Sequence, residues 1–163
     1  MFKKLLIVLI VLFIGIQFYH AKPNKSTVDE AYYIGKKYPV PEDVKSILAK
    51  ACNDCHSNNT RYPWYAKVQP VDWWTNRHVQ EGKRELNFDG FTDHSPRFQY
   101  IKMDEMIEQV KEGKMPLNSY TWIHKDAVLT QQEKEALTGW AQSVRDSLEA
   151  NYPKDSLVRK KRP

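Results

Sequence analysis

Cysteine is nearly absent from this chain, with two residues in 163. That excludes a disulfide-stapled scaffold, and because the pair stands at positions 52 and 55 it is a local device. Strand signals are missing too: no stretch reads as a convincing run of alternating apolar and polar residues. No internal repeat is visible. Glycine is sparse, six against nine prolines, while tryptophan (five) and tyrosine (nine) are plentiful, a balance that predicts ordered loops with aromatic packing. A positive body is also lacking. The formal charge is +5, but eight of the 25 basic residues lie at the two ends: Lys3, Lys4, Lys22, Lys25 and the run Arg159–Arg162. Residues 26–158 keep 17 basic against 20 acidic side chains, a net −3, which argues against a nucleic-acid-binding core. Disorder is excluded by 41% hydrophobic residues.

What is present begins with an address. Residues 1–4 are a short basic region, and residues 5–19 (LLIVLIVLFIGIQFY) are apolar except for Gln17. This is the plan of an export signal. Small residues are expected at −3 and −1 of a cleavage site, yet Tyr19 stands two positions before Ala21, and no Cys follows for lipoprotein processing. The reading is an uncleaved signal anchor, a transmembrane segment over 5–19. As a helix its fifteen residues rise about 22 Å, short of a ~30 Å hydrocarbon core, with Lys3 and Lys4 snorkelling. The positive-inside rule places the rest outside, on the periplasmic face of the inner membrane. A cleaved signal peptide is the alternative, and it exports the domain as well. Residues 20–39 read as a polar tether, about 25 Å of reach as a random coil. Residues 40–150 form the domain and 151–163 a basic tail.

Four helices are predicted inside the domain. Pro41 opens the first, with Glu42 and Asp43 suited to the helix dipole and Val44, Ile47, Leu48 and Ala51 on one face. The second spans Val71 to about Glu85. Ser95 caps the third and Pro96 starts it, Phe98, Ile101, Met106 and Val110 are its buried face, and Gly113 ends it. Thr130 with Glu133 is a capping box for the last, which carries Leu137, Trp140, Val144 and Leu148 and frays near Asn151. Residues 57–70, 86–97 and 114–129 read as loops. The fold class is all-α, and short helices with long loops make a poor core from protein alone. Something else fills the middle.

Cys52-Asn53-Asp54-Cys55-His56 supplies the candidate. C-x-x-C-H is the attachment pattern of c-type haem. Two thiols on one helical turn match the spacing of two vinyl groups, and the next residue brings an imidazole under the iron. A zinc site needs a fourth ligand, and no second tight cluster supplies one. A redox Cys-x-x-Cys needs a βαβ context that is missing, and a bland local disulfide leaves His56 unexplained. The cofactor is read as haem c, covalently attached through Cys52 and Cys55, with His56 as proximal ligand.

For the sixth ligand, Met115 stands out. It follows the helix-ending Gly113 and precedes Pro116, so its thioether is free of helix geometry but restrained. Met103 and Met106 fall within the predicted helix and read as core fillers. His124 and His78 are the rivals, and His94 is a further candidate. Trp64, Tyr65, Trp73 and Trp74 read as cofactor-covering aromatics. A carbonyl near Pro63 or Pro70 is expected to take the Nδ1 proton of His56.

Beyond these residues the chain resembles a known family. The stretch Cys52–Ala141, with C-x-x-C-H-S-N-x-T-x-Y-P-W-Y, Gln69-Pro70-Val71, Trp73-Trp74, His78-Val79, Gly113-Lys114-Met115-Pro116-Leu117, Ile123-His124 and Trp140-Ala141, is similar to the haem-binding domain family of small exported proteins. The resemblance implies haem c binding on a monohaem cytochrome c-like fold and does not name a redox partner. One-electron transfer rather than enzymatic turnover is expected if His56 and Met115 fill both axial positions. A peroxidase-like enzyme or sensor with an open sixth position is the alternative.

Overall fold

A computed structural model describes residues 1–27 and 30–158, and among them there are helices and loops with no strand. Eight α-helices follow in order: α1 Phe2–Ile16, α2 Glu42–Ala51, α3 Asn53–His56, α4 Val71–Glu85, α5 Pro96–Lys111, α6 Asn118–Thr121, α7 Gln131–Asn151 and α8 Lys154–Leu157. Single 3₁₀ turns at Ile34–Lys36, Trp64–Lys67, Phe88–Asp93 and Lys125–Ala127 punctuate the connections.

The local rules act where they were expected to. The Ser95 side chain accepts from the Phe98 N–H, with Pro96 at the first helical position of α5. Gly113, at φ +68°, turns the chain out after α5 in the left-handed region that suits glycine. At α7, Thr130 Oγ1 accepts from Glu133 N at 3.2 Å while Glu133 accepts from Thr130 N at 2.9 Å, a complete capping box. Helix α7 then buries Leu137, Trp140, Ala141, Val144 and Leu148 against the Met103, Met106, Ile107 and Val110 face of α5. Helix α2 closes on α7 through Val44, Ile47 and Leu48, and α8 packs on α5 with Leu157 fully buried.

Three expectations are corrected. The stretch 20–39 is no tether. Asn24 is buried, and its Nδ2 donates to the Ser57 carbonyl and to Thr60 Oγ1, both at 2.9 Å. Further on, Ile34 and Tyr38 enter the main core, and Tyr38 donates to Gln99 Oε1 at 2.7 Å. A segment without helical periodicity is thus pinned by single well-placed side chains. The tail boundary at 151 also moves, because α7 runs to Asn151 and α8 belongs to the core. Arg159, Lys160, Lys161 and Arg162 lie outside the described residues. Finally, the apolar N-terminal helix stops at Ile16, and no helix among the described residues is long and apolar enough to cross a membrane. Gln17 and Tyr19, counted in the anchor, are instead partners of the domain: Gln69 N donates to Gln17 Oε1 at 2.9 Å, and Trp73 Nε1 donates to the Tyr19 carbonyl at 3.2 Å.

Candidate functional site

Cys52 ends α2 and opens α3, its carbonyl accepting from Cys55 N (3.1 Å) and His56 N (3.0 Å). That turn puts the two thiols and the imidazole on one short element. Both cysteines are free and half-buried. Burial pushes the Cys52 thiol up to about 12 and the Cys55 thiol up to about 11, so both stay protonated at neutral pH.

His56 is oriented from the end of α4. Its Nδ1 lies 2.8 Å from the Leu86 carbonyl. A carbonyl only accepts, so Nδ1 carries the proton and Nε2 carries the lone pair. Burial lowers the His56 pKa and favours that neutral form. The expected carbonyl near Pro63 or Pro70 is replaced by one thirty residues along the chain, which no sequence pattern marks. Helix α4 approaches α3 closely at Gly82, where a Cβ would stand 2.6 Å from the Cys55 carbonyl oxygen. Only glycine allows that approach.

Beside the motif lies a cavity of about 490 Å³. Leu86, Phe88, Met106, Val110, Leu129 and Leu137 supply apolar wall, and Glu81, Glu85, Lys102 and Glu105 stand on its polar side. Cys52, Cys55 and His56 line it, as does Met115 with Pro116 and Leu117. The Met115 loop is held by Lys114 N (2.9 Å) and Met115 N (3.1 Å), both donating to the Gln109 carbonyl.

The other expected site residues fall differently. His78 lines the cavity, and its Nδ1 is 2.8 Å from the Trp74 carbonyl, which leaves Nε2 free. His124 does not line it: its Nε2 meets Tyr65 Oη at 2.8 Å and its ring stacks on Tyr120 at 4.1 Å. Met103 is fully buried in the core away from the cavity, and His94 packs on Phe98. Trp64, Tyr65, Trp73 and Trp74 are not part of the cavity wall. Trp64 is 79% exposed and Trp74 47%. Leu86, Met106, Val110, Leu129 and Leu137, with Phe88, do the covering instead.

One residue inside the motif went unremarked in the sequence. Asp54, buried, accepts from Tyr120 Oη at 2.7 Å, Arg61 N at 2.9 Å and Arg61 Nε at 3.1 Å. Burial and this carboxylate raise the Tyr120 hydroxyl pKa. Asp54 thereby ties α3 to the loop after it and to α6.

The donor set tests the cofactor directly. Among the described residues, no three His, Cys, Asp or Glu side chains converge as a metal site, so the two thiols and His56 do not form a zinc centre. Two free thiols, an imidazole with its Nε2 lone pair available and an apolar cavity of this size fit a large flat apolar group carrying a metal. An all-α domain with C-x-x-C-H opening onto such a cavity has the form of a haem protein. The family model described as "Haem-binding domain" matches residues 11–143, and the chain belongs to that family. The match reaches well before Cys52, in keeping with the packed segment 20–39. No curated protein and no solved structure matches the chain.

Proposed function

We propose that this haem-binding protein is a monohaem c-type cytochrome that carries single electrons and is not an enzyme. Cys52 and Cys55 hold the haem as thioethers, His56 Nε2 is the proximal ligand and Met115 the distal one. Bound haem supplies a one-electron ferric–ferrous couple. The observation that carries the reading is the Leu86 carbonyl fixing Nδ1–H of His56, the outer contact that a ligating histidine needs. The chain's own residues do the rest. Gly82 lets α4 close on the attachment turn, Asp54 holds that turn rigid, and the aliphatic wall excludes water, which limits reorganisation when the charge changes.

A second reading is favoured by one observation, the free Nε2 of His78 at the cavity. With His78 as distal ligand the centre is bis-histidine and its potential lower. We further propose that the protein is exported and stays attached to the periplasmic face of the cytoplasmic membrane through α1. From Leu5 to Ile16 this helix is apolar on all sides and has no buried residue, so it needs an apolar environment. The test is mass spectrometry of protein made in a host with haem attachment machinery. Denatured chain should retain one haem mass; haem removed by acid acetone refutes the thioethers.

A further inference from the structure

The end of α1 does not lead into slack chain. Gln17 is bonded to Gln69, the Tyr19 carbonyl accepts from Trp73 Nε1, and His20 Nδ1 meets Asp72 Oδ2 at 2.9 Å, with Ala21 N also donating to Asp72. These contacts clamp α1's exit to the start of α4. The two chain segments joined by that clamp expose large apolar side chains: Phe18 (84%) and Tyr19 (73%) on the incoming chain, and Trp64 (79%), Val68 (37%), Trp73 (39%) and Trp74 (47%) on the 64–74 segment. Tyr19 and Trp73 meet edge to face at 6.2 Å.

Between residues 57 and 77 the single carboxylate is Asp72, which is buried in the clamp against His20, and of the three basic residues Arg61 is paired with Asp54 and Arg77 with Glu81, leaving Lys67. Lys22 and Lys67 are exposed. Indoles and tyrosines rimmed by cations suit the headgroup layer of a bilayer. Length points the same way. At about 22 Å, α1 is too short to cross a ~30 Å hydrocarbon core, so a chain attached through it keeps the residues just after Ile16 at the lipid surface.

We infer that the Phe18–Tyr19 and Trp64–Trp74 aromatic face is a lipid seat, which sets the domain on the membrane surface in one orientation rather than on a swinging tether. The inference rests on the proposed attachment through α1. Helix α4 rises from the seat, and its cavity-lining residues His78, Glu81, Gly82 and Glu85 follow Trp73 by five to twelve residues, about 7–18 Å along the helix. The site is therefore held at a set height above the bilayer.

The experiment is hydroxyl-radical footprinting of the full haem-loaded chain in phosphatidylcholine–phosphatidylglycerol vesicles, read residue by residue by mass spectrometry, with flotation run on the same sample. Tyr32 is the internal control: it is 52% exposed, and its carbonyl accepts from Thr92 N beyond the far end of α4. Trp64, Trp73 and Trp74 should oxidise at least ~5-fold more slowly than their exposure in the free domain predicts, with Tyr32 at full rate. In Trp64→Ser/Trp74→Ser the chain should still float while Trp73 becomes reactive. If the chain floats but all three tryptophans react in proportion to exposure, the seat is wrong and the attachment stands. If it does not float, the attachment fails and the seat with it. Protection that follows protein concentration instead of lipid assigns the face to a second copy and overturns the seat.

Discussion

Along α7, Leu137, Val144 and Leu148 are at most 1% exposed and share one apolar cluster with Met103, Ile107 and Val110 of α5. Along α3 and α4 the fastenings are of another kind. Asp54 grips Arg61 and Tyr120, Asn24 bridges Ser57, Thr60 and Lys83, and His56 leans on one carbonyl. The first region is filled volume, and its strength comes from apolar burial that any well-shaped side chain can supply. The second is directional. Each hydrogen bond fixes where a donor points, and a cavity is left between the elements. Stability and chemistry thus draw on different kinds of contact, with Met106, Val110 and Leu137 shared between core and cavity wall, and mutations away from that shared wall should separate them.

The largest effect should come from the cavity side and leave the core side intact. Met115→Ala removes the proposed distal thioether. The ferrous protein should then bind carbon monoxide, the near-infrared sulfur-to-iron band should vanish and the potential should fall. Met103→Leu and Met106→Leu should keep the band, since volume-conserving swaps are mild. His124→Ala should also keep it, because His124 is engaged by Tyr65 outside the cavity. If His78→Ala abolishes low-spin ligation while Met115→Ala does not, the centre is bis-histidine.

Next comes the reverse experiment. Leu148→Ala opens a cavity in the filled half and should cost about 2–5 kcal/mol in denaturant unfolding. The haem spectrum of the folded fraction should not change. A spectral shift comparable to that of Met115→Ala would mean that the two halves are one coupled unit.

How much of this was legible in the sequence follows the same division. Helices α2, α4, α5 and α7 announce themselves because apolar periodicity and capping are local: Val44, Ile47 and Leu48 recur at helical spacing, and Thr130 and Glu133 are three residues apart. C-x-x-C-H is local as well. What was hidden is non-local and carried by groups without identity in sequence. The Leu86 carbonyl belongs to a residue whose side chain has nothing to do with its role. Asn24 looks like any loop asparagine until Ser57 and Thr60 are brought to it. The tryptophans misled because bulk and apolarity say that a residue seeks cover, not which cover it finds.

Gly82→Ala probes the close approach of the two elements of the directional half. The new Cβ, 2.6 Å from the Cys55 carbonyl oxygen, meets backbone that has little freedom to yield. Helix α4 must shift away from α3, taking Leu86 and its hold on His56 along. A loss of about 1–3 kcal/mol is expected from overpacking, together with a lower yield of haem-loaded protein. Gly139→Ala on α7 is the control. A Cβ there meets nothing within 4 Å, and alanine is the better helix former, so stability should rise slightly or hold.

The smallest effect lies on the seam between the halves. Lys50, two residues before Cys52, reaches Glu133 at the start of α7, with Nζ 2.7 Å from Oε1. The Lys50 ammonium, then the Thr130 N–H, holds the Glu133 carboxyl below its ordinary value of 4.5. A carboxylate depressed on folding contributes its stability fully above the ordinary value and loses it as pH falls through the folded one. Glu133→Gln keeps an acceptor for Thr130 N–H but loses the charge. It should cost about 0.3–1 kcal/mol near pH 7, since both partners are about a quarter exposed and water screens the pair. As pH falls through the depressed folded pKa the wild type becomes neutral at this position as well, so the gap to the variant should close. High salt should narrow it at neutral pH. Thermal unfolding of both proteins across pH 3–7 reads this directly. A gap that persists undiminished at low pH would show that Glu133 works through its capping geometry alone, and that the seam carries no charge-dependent coupling between α2 and α7.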